Sequence, residues 1–265
     1  MTVDGKAIAQ EILNVVAQKT AILSTPPRLT VFTCAPNFET QKFLNLKQKR
    51  AAEAGIMVDL VILDAASTTE QVVEAIREAI SGTNGIIVQL PFPSQVDAAT
   101  ILAAVPASHD VDALRYAGEV TDVLPPVVGA IDVIAEKYLV DMEGKSVVVV
   151  GQGRLVGQPA MLYAKAKGGI VTVVERGTDN AAEIIKQADI LILGAGVPGL
   201  VTAAMVKVGV IVFDAATSEE GGMLVGDATP EVADIAALFT PVPGGIGPIT
   251  VALLLQNLLR LKSLQ

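Results

Sequence analysis

The segment Lys145–Pro159, KSVVVVGQGRLVGQP, constrains the fold of this chain more than any other stretch. Four successive valines predict a buried strand of a parallel sheet, and Gly151, Gly153 and Gly157 follow before a helix-compatible stretch. Glycines there let the backbone turn sharply and approach a pyrophosphate, while the amides that open the helix offer it hydrogen-bond donors. The spacing is one residue longer than the common dinucleotide fingerprint, so a purely structural glycine turn is the alternative.

Helical and strand patterns alternate along the rest of the chain, which predicts an α/β fold with parallel sheets covered on both faces. Before residue 118 the predicted strands are 29–34, 57–63 and 85–90, and the predicted helices are 4–23, 39–54, 69–80 and 96–105. After a helix at 125–139, the predicted strands are 147–150, 170–174, 190–193 and 210–213, and a final apolar helix covers 251–261. We therefore expect two α/β domains, of which the second binds a dinucleotide.

Composition and charge exclude several classes of partner. The formal net charge of −9 is unfavourable for binding nucleic acid or an anionic membrane, because both require basic surface. No apolar run approaches the ~20 residues of a membrane span, and the amino terminus lacks the pattern of a signal peptide. Cys34 is the only cysteine, which excludes an intramolecular disulfide and fits a reducing compartment. We expect a cytoplasmic protein and predict no metal site.

Candidate catalytic side chains occur in the first half of the chain. Phe43 and Lys47 are four residues apart on a predicted helix and so share a face. Gln89 lies at the carboxyl end of a predicted strand, the edge at which parallel sheets hold ligands. Asp110 and Asp112 follow in a polar loop. A lysine with a lowered pKa beside an amide and a carboxylate suits general acid–base catalysis, although each residue alone is also typical of a solvated helix, a strand end or a loop cap.

Several motifs together resemble one known family, the bifunctional methylenetetrahydrofolate dehydrogenases/methenyltetrahydrofolate cyclohydrolases. They are GIIVQLPFP at 85–93, HDVD at 109–112, the GQGRLVGQP loop and TPVPGGIGPIT at 240–250. The resemblance runs from the first helix to the last. It implies a folate-binding catalytic domain at 1–118, completed by the returning C-terminal helix 248–265, and a Rossmann-type NAD(P)-binding domain at 119–247. It also implies a substrate cleft between the domains and a homodimer built through the nucleotide-binding domains.

The resemblance implies two reactions in sequence. A hydride passes from 5,10-methylenetetrahydrofolate to NAD(P)+, and water then converts the methenyl cation to 10-formyltetrahydrofolate. The implied catalytic residues are Lys47, Gln89 and Asp112, of which Asp112 binds the pterin ring. The implied substrate-binding residues are Phe43, Leu90, Pro91, Pro243, Gly244 and Gly245. The implied cofactor-binding residues are Gly151, Gln152, Gly153, Arg154, Val156, Gly157, Glu175, Arg176 and Ile246.

The chain departs from the family pattern at several positions. Phe43 replaces a tyrosine, which keeps the ring for stacking on the substrate but removes a hydroxyl. His109 and Ala113 replace the lysine before and the glycine after the DVD motif, and LPPV at 124–127 replaces a Pro-Cys-Thr-Pro sequence. Gln152 stands where the family has an arginine able to hold the 2′-phosphate of NADP.

The acid that ends the second strand of the nucleotide domain bears on the choice of cofactor. Glu175 lies where a carboxylate accepts hydrogen bonds from both ribose hydroxyls of NAD and repels a 2′-phosphate. Arg154 and Arg176 lie in the loop and beside the acid, where either could hold a phosphate instead. Together with the arginine lost at Gln152, these observations favour NAD over NADP.

Three alternatives to a bifunctional enzyme stay open. The hydroxyl missing at Phe43 is compatible with a dehydrogenase whose hydrolytic step is weak or lost. A non-catalytic folate- or nucleotide-binding relative is the second alternative, and the retention of Lys47, Gln89 and Asp112 together argues against it. An amino-acid or shikimate dehydrogenase of similar layout is the third, and it leaves the TPVPGGIGPIT sequence unexplained.

Overall fold

The computed structural model describes residues 1–118 and 123–264 of the chain. These residues form two compact units. One, which we call the Lys47 unit, contains Gln10–Arg115, residues 123–124 and residues 251–264. The other, the glycine-loop unit, contains Met1–Ala9, residues 116–118 and Pro125–Thr250.

The two units differ from the predicted division of the chain at its amino-terminal end. Residues 1–118 were expected in one domain, whereas Met1–Ala9 group with the glycine-loop unit. The physical reason is backbone pairing, since Val3 N donates to the carbonyl of Phe239 and Phe239 N donates to the carbonyl of Met1, both at 2.9 Å. The predicted boundary at 118/119 borders residues 119–122, which lie outside the described residues.

A three-stranded parallel sheet in the order β2–β1–β3 forms the centre of the Lys47 unit. Its strands are β1 (Arg28–Cys34), β2 (Met57–Leu63) and β3 (Gly85–Val88). Its helices are α2 (Phe38–Glu53), α3 (Thr69–Ala79), α4 (Ala98–Ala103) and, from Gln10 onward, α1 (Gly5–Ala21). Phe32, Ile76, Ile86 and Ile101 are buried in one cluster, so α3 and α4 cover one face of the sheet. The carboxyl ends of β1 and β3 share one edge because the strands are parallel.

A five-stranded parallel sheet in the order β10–β7–β6–β4–β5 forms the centre of the glycine-loop unit. Its strands are β4 (Ser146–Val150), β5 (Ile170–Val174), β6 (Ile190–Leu193), β7 (Ile211–Asp214) and β10 (Leu238–Phe239), with a separate hairpin of β8 (Ser218–Glu220) and β9 (Met223–Val225). The helices are α5 (Pro126–Lys137), α6 (Gly157–Ala166), α7 (Ala181–Gln187) and α8 (Val232–Ile235). From β4 the chain runs first to β5 on one side and then to β6 on the other, so β4 and β6 flank the point where the strand order reverses.

The last helix, α9 (Ile246–Lys262), begins earlier than the apolar pattern predicted. Pro248 falls in its first turn, where a proline needs no hydrogen-bonded amide. From Val251 onward the helix groups with the Lys47 unit, where Leu255 and Leu258 are fully buried. Among the described residues, no helix combines the length and apolar character needed to span a bilayer. The predicted α/β class with parallel sheets is confirmed.

Candidate active site

Lys47 and Gln89 meet at the edge of the sheet in the Lys47 unit. Nζ of Lys47, on α2, donates a hydrogen bond of 2.7 Å to Oε1 of Gln89, the residue that follows β3. The backbone amide of Gln89 donates to the carbonyl of Phe32 at 2.8 Å, and its side-chain Nε2 donates to the carbonyl of Leu90 at 3.3 Å. Hydrogen bonds therefore fix both the backbone amide and the side-chain amide of Gln89, and the side-chain oxygen accepts from Lys47.

Lys47 and Asp112 form a desolvated acid–base pair in the same unit. Burial lowers the pKa of the Lys47 ammonium below its ordinary value, and the Asp112 carboxylate offsets part of this shift. Burial likewise raises the pKa of Asp112, and Lys47 offsets part of that rise. Both residues as a whole keep some exposure, so the desolvation acts on the charged ends of their side chains. In both residues burial outweighs the mutual attraction, which makes the neutral forms accessible for proton transfer.

A second carboxyl group, that of Asp110, lies in the same loop as Asp112. Asp110 is 5% exposed, and its Oδ2 accepts a hydrogen bond of 2.7 Å from Leu114 N. Its Oδ1 is buried and has no hydrogen-bond partner among the described residues. Burial, followed by the charge of Asp112, raises the pKa of Asp110 to about 7. A carboxyl group whose pKa is raised to about 7 thus lies two residues before Asp112, the proposed pterin-binding residue.

The other predicted folate contacts of the Lys47 unit are close in sequence to Lys47 or Gln89. Phe43 is half-buried on α2, one helical turn before Lys47. Leu90 packs on the core under α3 and α4, whereas Pro91 is exposed. Ala113, where the family has glycine, adopts the left-handed φ of 50°, a conformation that costs an alanine roughly 1–2 kcal/mol. The backbone of this loop therefore keeps a glycine-like conformation although the glycine has been replaced.

The three glycines after β4 differ in what a side chain would meet at each position. Gly151 has a φ of 95°, and a Cβ there would lie 2.6 Å from the carbonyl oxygen of Gly194. A Cβ on Gly157, the first residue of α6, would overlap the carbonyl oxygen of Gly151. At Gly153 the nearest such atom is 3.8 Å away. Packing explains the first and last glycines, but at exposed Gly153 a Cβ would make only an ordinary contact, so packing does not require a glycine there; close approach of a pyrophosphate to the backbone would explain it.

The remaining predicted cofactor contacts of the β4–α6 and β5 region are mostly at the surface. Glu175 and Arg176 are exposed and follow β5, whose end lies beside Gly151 because Gly151 N donates to the carbonyl of Val174 at 2.8 Å. Arg154 is exposed in the loop, and Gln152 and Val156 are half-buried in it. A Cβ on Gly194 would overlap the side chain of Val156, so Val156 packs against the loop that follows β6.

The TPVPGG segment also belongs to the glycine-loop unit. Gly244 has a φ of 111°, and a Cβ there would meet only Lys6 Cε, at 4.0 Å. Gly245 is packed tightly, since a Cβ would lie 2.7 Å from the carbonyl oxygen of Pro241. Pro243 is exposed and Ile246 is 3% exposed, so the proline and Gly244 present the accessible surface of this segment.

Two buried acids of the glycine-loop unit were not predicted as site residues. Asp227 is fully buried and accepts hydrogen bonds from three successive amides of the loop after β6. Asp214, at the end of β7, is 1% exposed, and burial raises its pKa to about 6. In the sequence both acids lie between apolar stretches at a strand end or in a loop, and this placement was the only signal that could have singled them out.

Comparison with known proteins identifies the family. The model of the tetrahydrofolate dehydrogenase/cyclohydrolase catalytic domain matches residues 3–112, and that of the NAD(P)-binding domain of the same family matches residues 125–265. The bifunctional protein FolD of Macrococcus caseolyticus is 32% identical over 269 residues, which cover 97% of this chain and 95% of that protein.

Solved structures agree with the sequence comparison. The bifunctional FolD methylenetetrahydrofolate dehydrogenase/cyclohydrolase of Campylobacter jejuni superposes with a TM-score of 0.94 at 31% identity, covering 100% of this chain and 99% of that one. The structure of the Trypanosoma brucei enzyme in complex with NADP and an inhibitor gives a TM-score of 0.93 at 30% identity, covering 100% of this chain and 98% of that one. The family resemblance drawn from the motifs is confirmed: the chain belongs to the tetrahydrofolate dehydrogenase/cyclohydrolase family.

Proposed function

We propose that this protein oxidises 5,10-methylenetetrahydrofolate to 5,10-methenyltetrahydrofolate with NAD(P)+ and then hydrolyses the product to 10-formyltetrahydrofolate. The Lys47–Gln89 hydrogen bond of 2.7 Å, with Asp112 coupled to the same ammonium, is the observation that carries the proposal. A lysine that serves only as a solvated surface residue of a helix needs neither burial nor a fixed partner. The setting of Lys47 therefore points to a chemical role. Membership of the family supports both reactions.

Lys47 is the proposed acid–base group of the hydrolytic step. Water forms a C–O bond with the methenyl carbon, and neutral Lys47 accepts the first proton that the water releases. The hydroxyl of this adduct then loses its remaining proton as the C=O bond forms and the C–N5 bond breaks. N5 takes up one proton, and the formyl group stays on N10. The pKa of Lys47, lowered by burial, makes the neutral amine available at lower pH than an exposed lysine would allow. Gln89 orients the amine through its side-chain oxygen.

Asp112 and Phe43 are the proposed substrate contacts next to this lysine. A carboxylate accepts paired hydrogen bonds from the N–H groups of a pterin, and such charge-assisted pairs are both strong and directional. The Phe43 ring offers a face for stacking and no proton-transferring group. Leu90, Pro91, Pro243, Gly244 and Gly245 are proposed to complete the folate contacts, with the glycines bringing bare backbone to the ligand.

The glycine-loop unit is proposed to hold the dinucleotide, which accepts the hydride when it is bound. The exposed backbone of Gly153 and the start of α6, where no side chain caps the helix, fit a pyrophosphate. Glu175 is placed to accept from the ribose hydroxyls and to repel a 2′-phosphate, which favours NAD. Arg154 and Arg176 are both exposed near that site and would support NADP if either turned towards it.

A dehydrogenase without the hydrolytic step and a non-catalytic binding protein are the less favoured functions. The first would leave the half-buried Lys47–Gln89 pair without a purpose. The second would in addition leave the open glycine loop unused. Neither alternative has an observation of its own in its favour beyond the hydroxyl missing at Phe43.

One assay with two halves tests the proposal. Purified protein is given 5,10-methylenetetrahydrofolate with NAD or NADP, and in parallel 5,10-methenyltetrahydrofolate without a dinucleotide. We expect reduced dinucleotide in the first half and loss of methenyl absorbance above the spontaneous rate in the second. Reduced dinucleotide with no accelerated hydrolysis would leave only the dehydrogenase, and inactivity in both halves would refute the proposal.

The assembly and the compartment are further proposals. A homodimer follows from the family resemblance, and sedimentation equilibrium of the purified protein tests it. A cytoplasmic location fits the single buried thiol of Cys34, which needs no oxidising compartment. Microscopy of the tagged protein in its own cells tests the location.

A further inference from the structure

Three successive amides of the glycine-loop unit converge on one carboxylate. The N–H groups of Ala195 and Gly196 donate to Oδ2 of Asp227 at 2.7 and 3.2 Å, and that of Val197 donates to Oδ1 at 2.7 Å. Consecutive amides turned to one side make a concavity that binds anions. Here the protein fills the concavity with its own acid, which is fully buried, while the three residues that donate are exposed.

These amides belong to the loop that follows β6. In open parallel sheets a dinucleotide binds beyond the carboxyl ends of the strands at the point where the strand order reverses. In this sheet that point lies between β4 and β6. The loop after β4 is the glycine loop, so the loop after β6 is the other wall of the same crevice.

The two walls are in direct contact. A Cβ on Gly151 would lie 2.6 Å from the carbonyl oxygen of Gly194 and 2.8 Å from Ala195 N. A Cβ on Gly194 would in turn overlap the side chain of Val156. Because the loops after β4 and β6 are closely packed, a displacement of the Ala195–Val197 turn either displaces the glycine loop or opens a gap between the two loops.

Asp227 is itself held in place by its neighbours. Its carbonyl accepts from Val201 N at 2.9 Å, and the carbonyl of Val201 accepts from Thr229 N at 2.9 Å. The next residue, Ala228, donates its amide to Oδ2 of Asp214 at 2.8 Å. The Asp227 carboxylate is thus presented to the turn from a fixed backbone, as a positioning group requires.

We propose that Asp227 is a positioning residue of the cofactor site, whose carboxylate fixes the Ala195–Val197 turn against the glycine loop and so sets the affinity for the nicotinamide dinucleotide. This inference rests on the proposed function. A merely structural role would instead affect both reactions alike. The hydrolysis of methenyltetrahydrofolate provides the distinction, because it consumes no dinucleotide and its proposed catalytic residues Lys47, Gln89 and Asp112 all lie in the Lys47 unit.

The replacement Asp227→Asn tests the proposal with little change of shape. Both carboxylate oxygens accept amides, so in either orientation the NH2 group of asparagine faces at least one backbone donor. We expect the Kd and KM for NAD and NADP to rise by about tenfold or more, because a backbone donor of the turn loses its acceptor and the turn is no longer fixed. Hydrolysis of methenyltetrahydrofolate by the same variant should stay within about twofold of wild type, since any larger change would mean a general defect.

Asp189→Asn is the matched control. Its carboxylate also accepts a backbone amide, that of Ser146 at 2.9 Å, but it lies at the amino end of β6, the opposite edge of the same sheet. This variant should bind both dinucleotides as wild type does. Gly196→Ala is a second, independent variant, because Gly196 has a φ of 69° and nothing within 4 Å of a Cβ, so the change strains only the turn. It should weaken dinucleotide binding without affecting hydrolysis.

The outcomes separate cleanly. Weaker dinucleotide binding in D227N and G196A with intact hydrolysis supports the proposal. Unchanged binding in either folded variant overturns it, and so does a parallel loss of binding and hydrolysis in both. Direct titration of wild type with NAD and NADP separates failure of this inference from failure of the proposed function. If wild type binds neither dinucleotide, the proposed function itself is wrong.

Discussion

Nζ of Lys47 lies 2.7 Å from Oε1 of Gln89, so an uncharged amide at the end of β3 orients the amine carried by α2. A neutral partner fixes the amine without adding the negative charge that would raise its pKa further. Burial can therefore keep the pKa of Lys47 below its ordinary value even though Asp112 opposes that shift.

Replacing Lys47 with methionine should separate the two reactions. Methionine has a similar length but cannot accept a proton, so we expect methenyl hydrolysis to fall by roughly 10²–10⁴-fold, the usual contribution of a general acid–base group. Hydride transfer should persist at least in part. The control is Lys49→Met, an exposed lysine of the same helix, which should leave both rates unchanged. Equal losses of the two activities in K47M would contradict the role given to Lys47.

Replacing Gln89 with glutamate should change the pH dependence of hydrolysis. In wild type the activity should rise with pH through the pKa of Lys47, below the ordinary value of 10.5. A carboxylate at the position of the amide favours the charged ammonium and raises that pKa, so the inflection should move to higher pH. The measurement is kcat/KM for methenyltetrahydrofolate against pH. Gln95→Glu, an exposed change in the same unit, should not move the inflection, and an unmoved inflection in Q89E would exclude Lys47 as the titrating group.

Replacing Asp110 with asparagine should flatten the dependence of stability on pH. Burial raises the pKa of Asp110 from 3.8 to about 7, so the folded state binds this proton more tightly than the unfolded chain does. The free energy of unfolding that this group contributes is fully present below pH ~4 and is lost as the pH rises towards 7, by up to about 4 kcal/mol. Asparagine keeps an oxygen for Leu114 N and cannot ionise.

Urea unfolding between pH 4 and 8 measures the effect. Relative to wild type, D110N should gain stability as the pH rises through this range. Asp64→Asn is the control, since exposed Asp64 also accepts one backbone amide, that of Ala66 at 2.7 Å. A D110N curve parallel to that of wild type would show that Asp110 is ionised throughout this range in the folded protein.

Replacing Glu175 with glutamine should shift the cofactor preference. The amide still bonds to a ribose hydroxyl but no longer repels a 2′-phosphate, so the ratio of kcat/KM for NADP over NAD should rise by about tenfold, or ~1.4 kcal/mol. Glu183→Gln, an exposed change on α7, is the control and should leave the ratio unchanged. An unaltered ratio in E175Q would place the ribose outside the reach of Glu175.

The sequence predicted the class of fold and the family because both depend on local patterns. The apolar strands, the glycine loop and TPVPGGIGPIT are each contiguous in the sequence, so they can be recognised without a structure. The sequence could not show why each glycine is needed: Gly151 and Gly157 are glycines because of packing against Gly194 and each other, whereas packing does not require a glycine at 153.

The burial and hydrogen-bond partners of the acids Asp227 and Asp110 could not be predicted from the sequence. Asp227 binds amides some 30 residues away, and nothing in its own neighbourhood shows that. Asp110 was grouped with Asp112 in a polar loop, but its burial depends on the packing of the whole unit. The grouping of Met1–Ala9 with the glycine-loop unit was missed for the same reason, because Val3 pairs with a residue at the far end of the chain.

Asn257 links the proposed pterin site to the order in which the chain is made. Its Nδ2 donates to the carbonyls of Val111, at 3.0 Å, and Leu124, at 2.8 Å, and so secures the loop that carries Asp112. Asn257 is 146 residues further along than Val111. At about 5–20 residues per second, a ribosome needs roughly 7–30 s to add that stretch. A nascent chain therefore carries Phe43, Lys47 and Asp112 long before the loop is secured, and we expect affinity for the pterin to appear only once α9 has left the ribosome.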